Sequence, residues 1–259
     1  DHSVYDVLSG PDQWLSAGFD YYEYDLTDSM QSFDSNGFTV GNYSKTNTSS
    51  DTYVAWCWKA NGSGSSNEEG SINTTATTAN VSAGFSISTY TGNETVGATI
   101  GHGLNEAPTL VIVKKRNTHN YPWVVGSLQS LASMDFTDAM YLDTTGAVLD
   151  EHAFWNDEKP TSTLVELGDG GYVNLSGGTY VMYCFHSVEG YSKVGSYVGN
   201  GNADGPFIYT GFTPAWFFIK KIGGGQWRVY DNKRGDVAGG NSNDRCLYFD
   251  ASSVEADEN

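Results

Sequence analysis

The strongest hydrophobic stretches of this 259-residue chain are short, and their successive side chains divide between two faces with a period of two, the side-chain period of a β-strand. From Thr52 to Lys59, Tyr53, Ala55 and Cys57 fall on one face, and Val54, Trp56 and Trp58 on the other. Both faces are apolar, which predicts a central strand covered on both sides. Tyr180, Met182 and Cys184 face opposite Val181, Tyr183 and Phe185 in the same manner, so large aromatics keep the same face in both stretches. Thr109–Lys114 and Ala215–Lys220 are almost wholly apolar, each entered from a proline and closed by a Lys pair. They predict buried strands reached through Pro-bounded turns. A further strand is expected after each, at Trp123-Val124-Val125 and at Trp227–Asp231, and Ser3–Asp6 matches the latter.

These stretches repeat. GNYSKTNTSSDTYVAWCWK at 41–59 and GDGGYVNLSGGTYVMYCFH at 168–186 align without a gap at a separation of 127 residues, pairing Gly41 with Gly168, Asn47 with Asn174, Tyr53 with Tyr180 and Cys57 with Cys184. Tyr90–Asn93 is echoed 107 residues later by Tyr197–Asn200, and Pro108 to Lys114-Lys115 has the spacing of Pro214 to Lys220-Lys221. Duplication at such a period predicts tandem β modules. The expected organisation is the back half of a module at 1–60, a Gly/Ser/Thr-rich linker at 61–82, a complete module at 83–187, and a front half at 188–259. The favoured reading is a window cut from a longer array; in the alternative, residues 1–60 complete the last half-module. The slack linker predicts that the first two modules are loosely joined and the last two closely docked.

Composition narrows the partners. Thirteen Lys and Arg against 31 Asp and Glu give a formal charge of −18. A nucleic-acid surface needs a basic footprint, so no nucleic acid is expected, and anionic membrane surfaces are disfavoured likewise. No apolar run reaches the length of a membrane span. Cys57, Cys184 and Cys246 share no metal spacing, and the first two are expected as equivalent core positions. His186 stands where the other copy has Lys59, which suggests an exposed strand end. Abundant Gly, Ser, Thr, Asn and Tyr, without long helix-forming stretches, suit a loop-rich all-β protein.

Catalytic signatures are weak. Five scattered histidines share no ligand spacing, and Gly101-His102-Gly103 reads as a turn. Asp150-Glu151 and Asp157-Glu158 flank His152, Phe154 and Trp155 in a segment able to line a sugar cleft, but a glycosidase needs two carboxyls held across a groove. Asn200, Asn202 and Asp204 alternate as calcium ligands would, without the distal bidentate Glu of a calcium loop; tight-turn chemistry explains them equally. No catalytic residue, metal or cofactor is therefore assigned. Phe19-Asp-Tyr-Tyr-Glu-Tyr-Asp25 stands out as an acidic, Tyr-dense loop, and Tyr21, Tyr22 and Tyr24 are the candidate ligand-binding residues. Tyrosine supplies a large amphipathic contact area at low entropic cost.

Gly-Phe…Tyr-Thr-Gly at 84–92, Gly-His-Gly-Leu…Ala-Pro…Ile-Val-Lys…Arg at 101–116, Thr-Tyr-Val-Ala-Trp-Cys-Trp-Lys-Ala at 52–60 and Val-Glu-Gly-Tyr-Ser-Lys-Val-Gly-Ser-Tyr-Val-Gly-Asn-Gly-Asn-Ala-Asp-Gly-Pro-Phe-Ile-Tyr-Thr-Gly-Phe-Thr-Pro at 188–214 resemble a known family. It is a tandem β domain of unknown function in structural and tail-fibre-like proteins of marine bacteriophages. The chain departs from the pattern at its half-modules and at Val124-Val125-Gly126. The resemblance implies an extracellular component of the virion surface whose partners are other virion proteins, copies of itself or a host-surface glycan. The expected fold is a series of antiparallel β-sandwiches of jelly-roll or concanavalin-like type. The expected role is adhesion through variable loops; capsid decoration or filament assembly is the rival within that class, and polysaccharide cleavage the rival outside it.

Overall fold

The computed structural model of the chain describes residues 2–129, 134–234 and 245–257. The fold is mostly β, with antiparallel strand ladders and a few one-turn helices. The first segment holds β1 (Ser3–Val4), β2 (Gln13–Ser16) and β3 (Tyr24–Asp25) in one sheet. A hairpin of β4 (Met30–Asp34) and β5 (Gly37–Val40) and the helix α1 (Ser44–Asn47) follow. The middle segment runs β6 (Ala76–Asn80), β7 (Phe85–Thr91), β8 (Ala98–Gly101), β9 (Leu110–Lys115), β10 (Val124–Gln129), β11 (Met134–Asp135), β12 (Asp138–Tyr141), β13 (Leu149–Asp150), α2 (His152–Trp155), β14 (Leu164–Leu167), α3 (Gly171–Asn174) and β15 (Thr179–Phe185). The last holds β16 (Trp216–Ile219), β17 (Arg228–Asp231), β18 (Arg245–Tyr248) and β19 (Ala256–Asp257) in one sheet.

β15 is the spine of the large sheet, ordered β13-β12-β10-β9-β15-β7-β6 with β11 on β10. It pairs with β7 from Thr179↔Thr91 to Phe185↔Phe85, and with β9 from Tyr180↔Lys115 to Phe185↔Leu110. Its two apolar faces feed two cores, as the alternation predicts. Tyr180, Met182 and Cys184 join Val111 and Val113 beneath the β8–β14 ladder, where Ile100, Val165 and Leu167 close one core with Phe154 and Trp155 of α2. Val181 and Tyr183 face a second core built with Leu15 and Ala17 of the first segment and Trp227 of the last. Burial at about 25 cal/mol per Å² makes these shared side chains the main force joining the three segments.

The internal repetition reappears as repeated hydrogen bonds. Tyr180 Oη accepts from Leu175 N (2.8 Å) and donates to Gly171 O (2.7 Å); Tyr53 Oη accepts from Thr48 N (2.8 Å) and donates to Ser44 O (3.2 Å). Asn174 Nδ2 donates to Gly168 O at 2.9 Å, and Asn47 Nδ2 to Gly41 O at 2.7 Å. In both copies the tyrosine and asparagine therefore clamp the same one-turn helix.

Contacts between segments repeat as well. Trp123 Nε1 donates to Ser16 O (2.7 Å) and Trp227 Nε1 to Tyr141 O (2.8 Å). Glu23 N→Arg116 O (2.8 Å) is matched by Val148 N→Ile222 O (3.0 Å), and Tyr121 N→Asp20 O (3.4 Å) by Gly225 N→Thr145 O (2.8 Å). His2 stands where the other two segments have tryptophan: Ala17 N→His2 O corresponds to Leu142 N→Trp123 O and Phe249 N→Trp227 O. His2 Nε2 in turn donates to Tyr248 O at 2.6 Å, joining the first segment to the last.

Several expectations need correction. Thr52–Lys59 forms no strand, and Tyr53, Val54 and Trp58 are exposed, as is Cys57, whereas Cys184 is buried. The alternation is right for a strand, but among the described residues none pairs with either edge of this stretch, and a strand is held by its ladders. The linker 61–82 supplies β6, paired with β7, and buries Ile72, Thr74 and Thr78. The first two segments are not loosely joined, since Trp123, Arg116 and Tyr121 all bond to the first. His186 is buried, its amide held by Gly84 O. Of the predicted half-modules, residues 1, 235–244 and 258–259 lie outside the described residues.

Candidate functional site

The three candidate tyrosines converge. The loop from Ala17 to Glu23 meets the loop after β9, residues 116–121, which Asn120 turns with φ +62°, a left-handed conformation that Asn tolerates. Arg116 clamps the tyrosine loop with a two-pronged ion pair, Nε to Glu23 Oε1 at 2.9 Å and Nη2 to Glu23 Oε2 at 2.6 Å. Both side chains are largely buried. Burial alone would lower the guanidinium pKa, but the Glu23 carboxylate outweighs it and the net shift is upward. A bidentate pair of this kind fixes orientation as well as charge.

On this frame the rings form one cluster. Phe19 and Tyr21 stack in parallel at 4.9 Å between centroids, and Tyr22 lies 4.4 Å from Tyr24. His119 touches all three tyrosines edge-on, at 5.9, 4.2 and 6.0 Å, and Trp14 backs Tyr24 at 5.8 Å. Tyr21 is exposed, while Tyr22 and Tyr24 are half-buried. The result is a ridge of aromatic rings, flanked in sequence by Asp20, Glu23 and Asp25. Aromatic faces present flat apolar area with a polar handle, suited to a ligand that is apolar on its faces and hydroxylated at its edges.

The loop after β9 is also held by a buried lysine. Lys114 donates from Nζ to Tyr121 O at 2.5 Å, under the Trp123 ring. Burial lowers its pKa to about 8, opposed by Asp143 and Asp20. Asp143 is raised to about 6 by burial, opposed by Lys114. Lys220 repeats the arrangement under Trp227, donating to Gly225 O and to Thr144 O. These lysines tie loop carbonyls to the strands that carry them.

The other candidates are placed less suggestively. Asp150, Glu151 and Phe154 do line a cavity of about 300 Å³ with Tyr141 and Tyr172, but Trp155 is fully buried and Asp157 and Glu158 lie outside the lining. Asn200 spends its side chain on its own turn, accepting from Asn202 N and donating to Asp204 O. Among the described residues no group of three His, Cys, Asp or Glu is placed to hold a metal ion. His102 is buried in structural bonds, with Leu104 N donating to Nδ1 and Nε2 donating to Thr161 O. Arg116 and His119 were missed in the sequence because they lie about ninety residues from the tyrosines they organise, and nothing local marks them.

The sequence model of one family matches residues 1–259 from end to end. The chain belongs to the DUF7483 family, a domain of unknown function. No curated protein matches this DUF7483 chain, and no solved structure does. The chemistry of this DUF7483 domain therefore has to be read from its own ridge, clamp and cavity.

Proposed function

We propose that this protein is a phage virion component of tail-fibre-like or appendage type, built from antiparallel sandwich units of jelly-roll or concanavalin-like form, which recognises a host-surface glycan. The observation that carries the reading is the convergence of Tyr21, Tyr22 and Tyr24 with Phe19 and His119 on a loop pinned by Arg116 and Glu23. A recognition loop needs rigid aromatic anchors on a scaffold that does not move, since preorganisation lowers the entropic cost of binding. The acidic surface, the sheet framework and the placement of the ridge on a loop agree with an extracellular adhesion part. Its partners on this reading are other virion proteins, further copies of itself and the glycan, with no nucleic acid, no membrane and no cofactor.

The test is retention of the protein on host-surface polysaccharide, with Tyr21→Ala/Tyr22→Ala as the comparison. Retention lost in the double variant, with thermal stability kept, supports the reading. Shortened polysaccharide chains would instead show hydrolysis, and no retention by the parent protein would leave an assembly role in its place.

A further inference from the structure

The exposed aromatics at Tyr53 and Trp58 have an explanation in the repeat itself. Tyr53 is 51% exposed and Val54 39%, whereas Tyr180 and Val181 at the equivalent positions are both 0% exposed. Phe38 of β5 is 45% exposed and its counterpart Val165 of β14 is 1%. The local clamp around Tyr53 is nevertheless complete, as the matched hydrogen bonds to Ser44 and Thr48 show. What differs is the neighbourhood. β15 lies between β7 and β9, and β14 pairs with β8, but neither 52–59 nor β5 has an equivalent partner strand among the described residues.

β16, the nearest candidate within the chain, does not fill that place. It touches this stretch through ring contacts, Trp58 with Trp216 at 5.0 Å and Trp56 with Trp216 at 5.9 Å, and no ladder joins them. These rings belong to the junction between the first and last segments that His2 and Tyr248 also form. Among the described residues no ladder covers either edge of 52–59, and Lys59 O accepts from Asn80 Nδ2.

We infer that the stretch 52–59, together with β5, is an acceptor for the front half of another copy of this repeat. The occupant is a polypeptide carrying a Tyr-x-Gly-Asn strand and a Pro-bounded apolar strand ending in a Lys pair. The register follows from β15: Cys57 takes the place of Cys184, opposite the residue equivalent to Val111, and Tyr53 lies opposite the second Lys of the pair. Strand addition of this kind pairs backbone groups through main-chain ladders, and alternate side chains supply specificity. The inference concerns assembly, so it does not rest on the glycan reading.

Because His2 occupies the place of Trp123, a copy of residues 84–122 joined directly ahead of His2 restores the order of the repeat. Cys57 is an exposed free thiol, while Cys184 and Cys246 are buried, so thiol labelling reports on this stretch directly. In the fused protein the labelling rate of Cys57 is expected to fall at least about 10-fold, and amide exchange across 52–59 to slow about 100-fold, as for closed sheet elsewhere. A synthetic peptide copying residues 84–115, added to the unfused chain, gives the second measurement if the fusion does not fold, and should protect Cys57 in a saturable manner. A folded fusion with unchanged Cys57 labelling, or a peptide without effect, overturns the inference. Protection already present in the unfused chain would show a different occupant and overturn it too.

Discussion

Trp123 donates its indole N–H to the carbonyl oxygen of Ser16 at 2.7 Å, across the junction of the first and middle segments. The ring is almost wholly buried beside Tyr183. Trp123→Phe leaves a buried carbonyl without its donor and removes ring volume. A loss of about 2–4 kcal/mol is expected, from an unsatisfied polar group plus a partial cavity. Urea unfolding of the variant checks this, and Trp227→Phe should behave alike because Trp227 meets Tyr141 in the same manner.

Tyr180 holds the end of α3 through two bonds made by one hydroxyl. Tyr180→Phe keeps the ring and strands Leu175 N and Gly171 O. It should cost about 1–3 kcal/mol, read as a lower midpoint with an unchanged denaturant slope. A changed slope would mean instead that the unfolded or native ensemble had altered.

Arg116→Lys is the informative change at the ridge. Lysine keeps the charge but cannot make the two-pronged contact with Glu23. Glycan retention should weaken several-fold and the tyrosine near-ultraviolet circular dichroism should fall, while far-ultraviolet signal stays. Arg116→Ala, which leaves Glu23 buried without its cation, should also destabilise by about 3 kcal/mol.

The pH profile carries the mark of Lys114 and Asp143. Burial lifts Asp143 from 3.8 to about 6, so its contribution to stability is full below its unfolded pKa and is lost as pH rises through about 6. Lys114 falls from 10.5 to about 8, so its contribution is present above its unfolded pKa and is lost as pH falls through about 8. The two together give a shallow minimum of stability between about pH 6 and 8. At about 1.4 kcal/mol per pKa unit, the acidic limb amounts to at most about 3 kcal/mol and the basic limb to at most about 3.5 kcal/mol. Melting temperatures across the range should show both limbs, with Asp143→Asn flattening the acidic one and Lys114→Met the basic one.

Two-faced alternation made β15 legible, a Pro-bounded apolar run made β9 legible, and the Trp-led stretch after the second such run made β17 legible; all three lie in sheets. β6 was hidden because it holds no large apolar residue; backbone pairing with β7 and a Thr77–Ser88 hydroxyl contact of 2.9 Å secure it instead. The stretch 52–59 misled in the opposite sense: its two apolar faces read as a covered strand, but among the described residues no strand pairs with it. Gly126, an oddity in the sequence, has a local cause. A Cβ there would sit 2.7 Å from Phe136 and Trp155, so the strand gives up a side chain to admit two rings. The tyrosine ridge could be named from its own letters, but its clamp could not, because Arg116 and Glu23 are neighbours only once β9 is in the sheet.

One geometric consequence follows from His2 standing in for tryptophan. The step that carries the first segment onto the middle one carries the middle onto the last, and the His2–Tyr248 bond returns the last to the first. The three segments are thus joined cyclically, each to the other two, by one recurring ring-N–H-to-carbonyl contact. That contact is therefore used by every segment within the chain, and none of the three presents it unmatched.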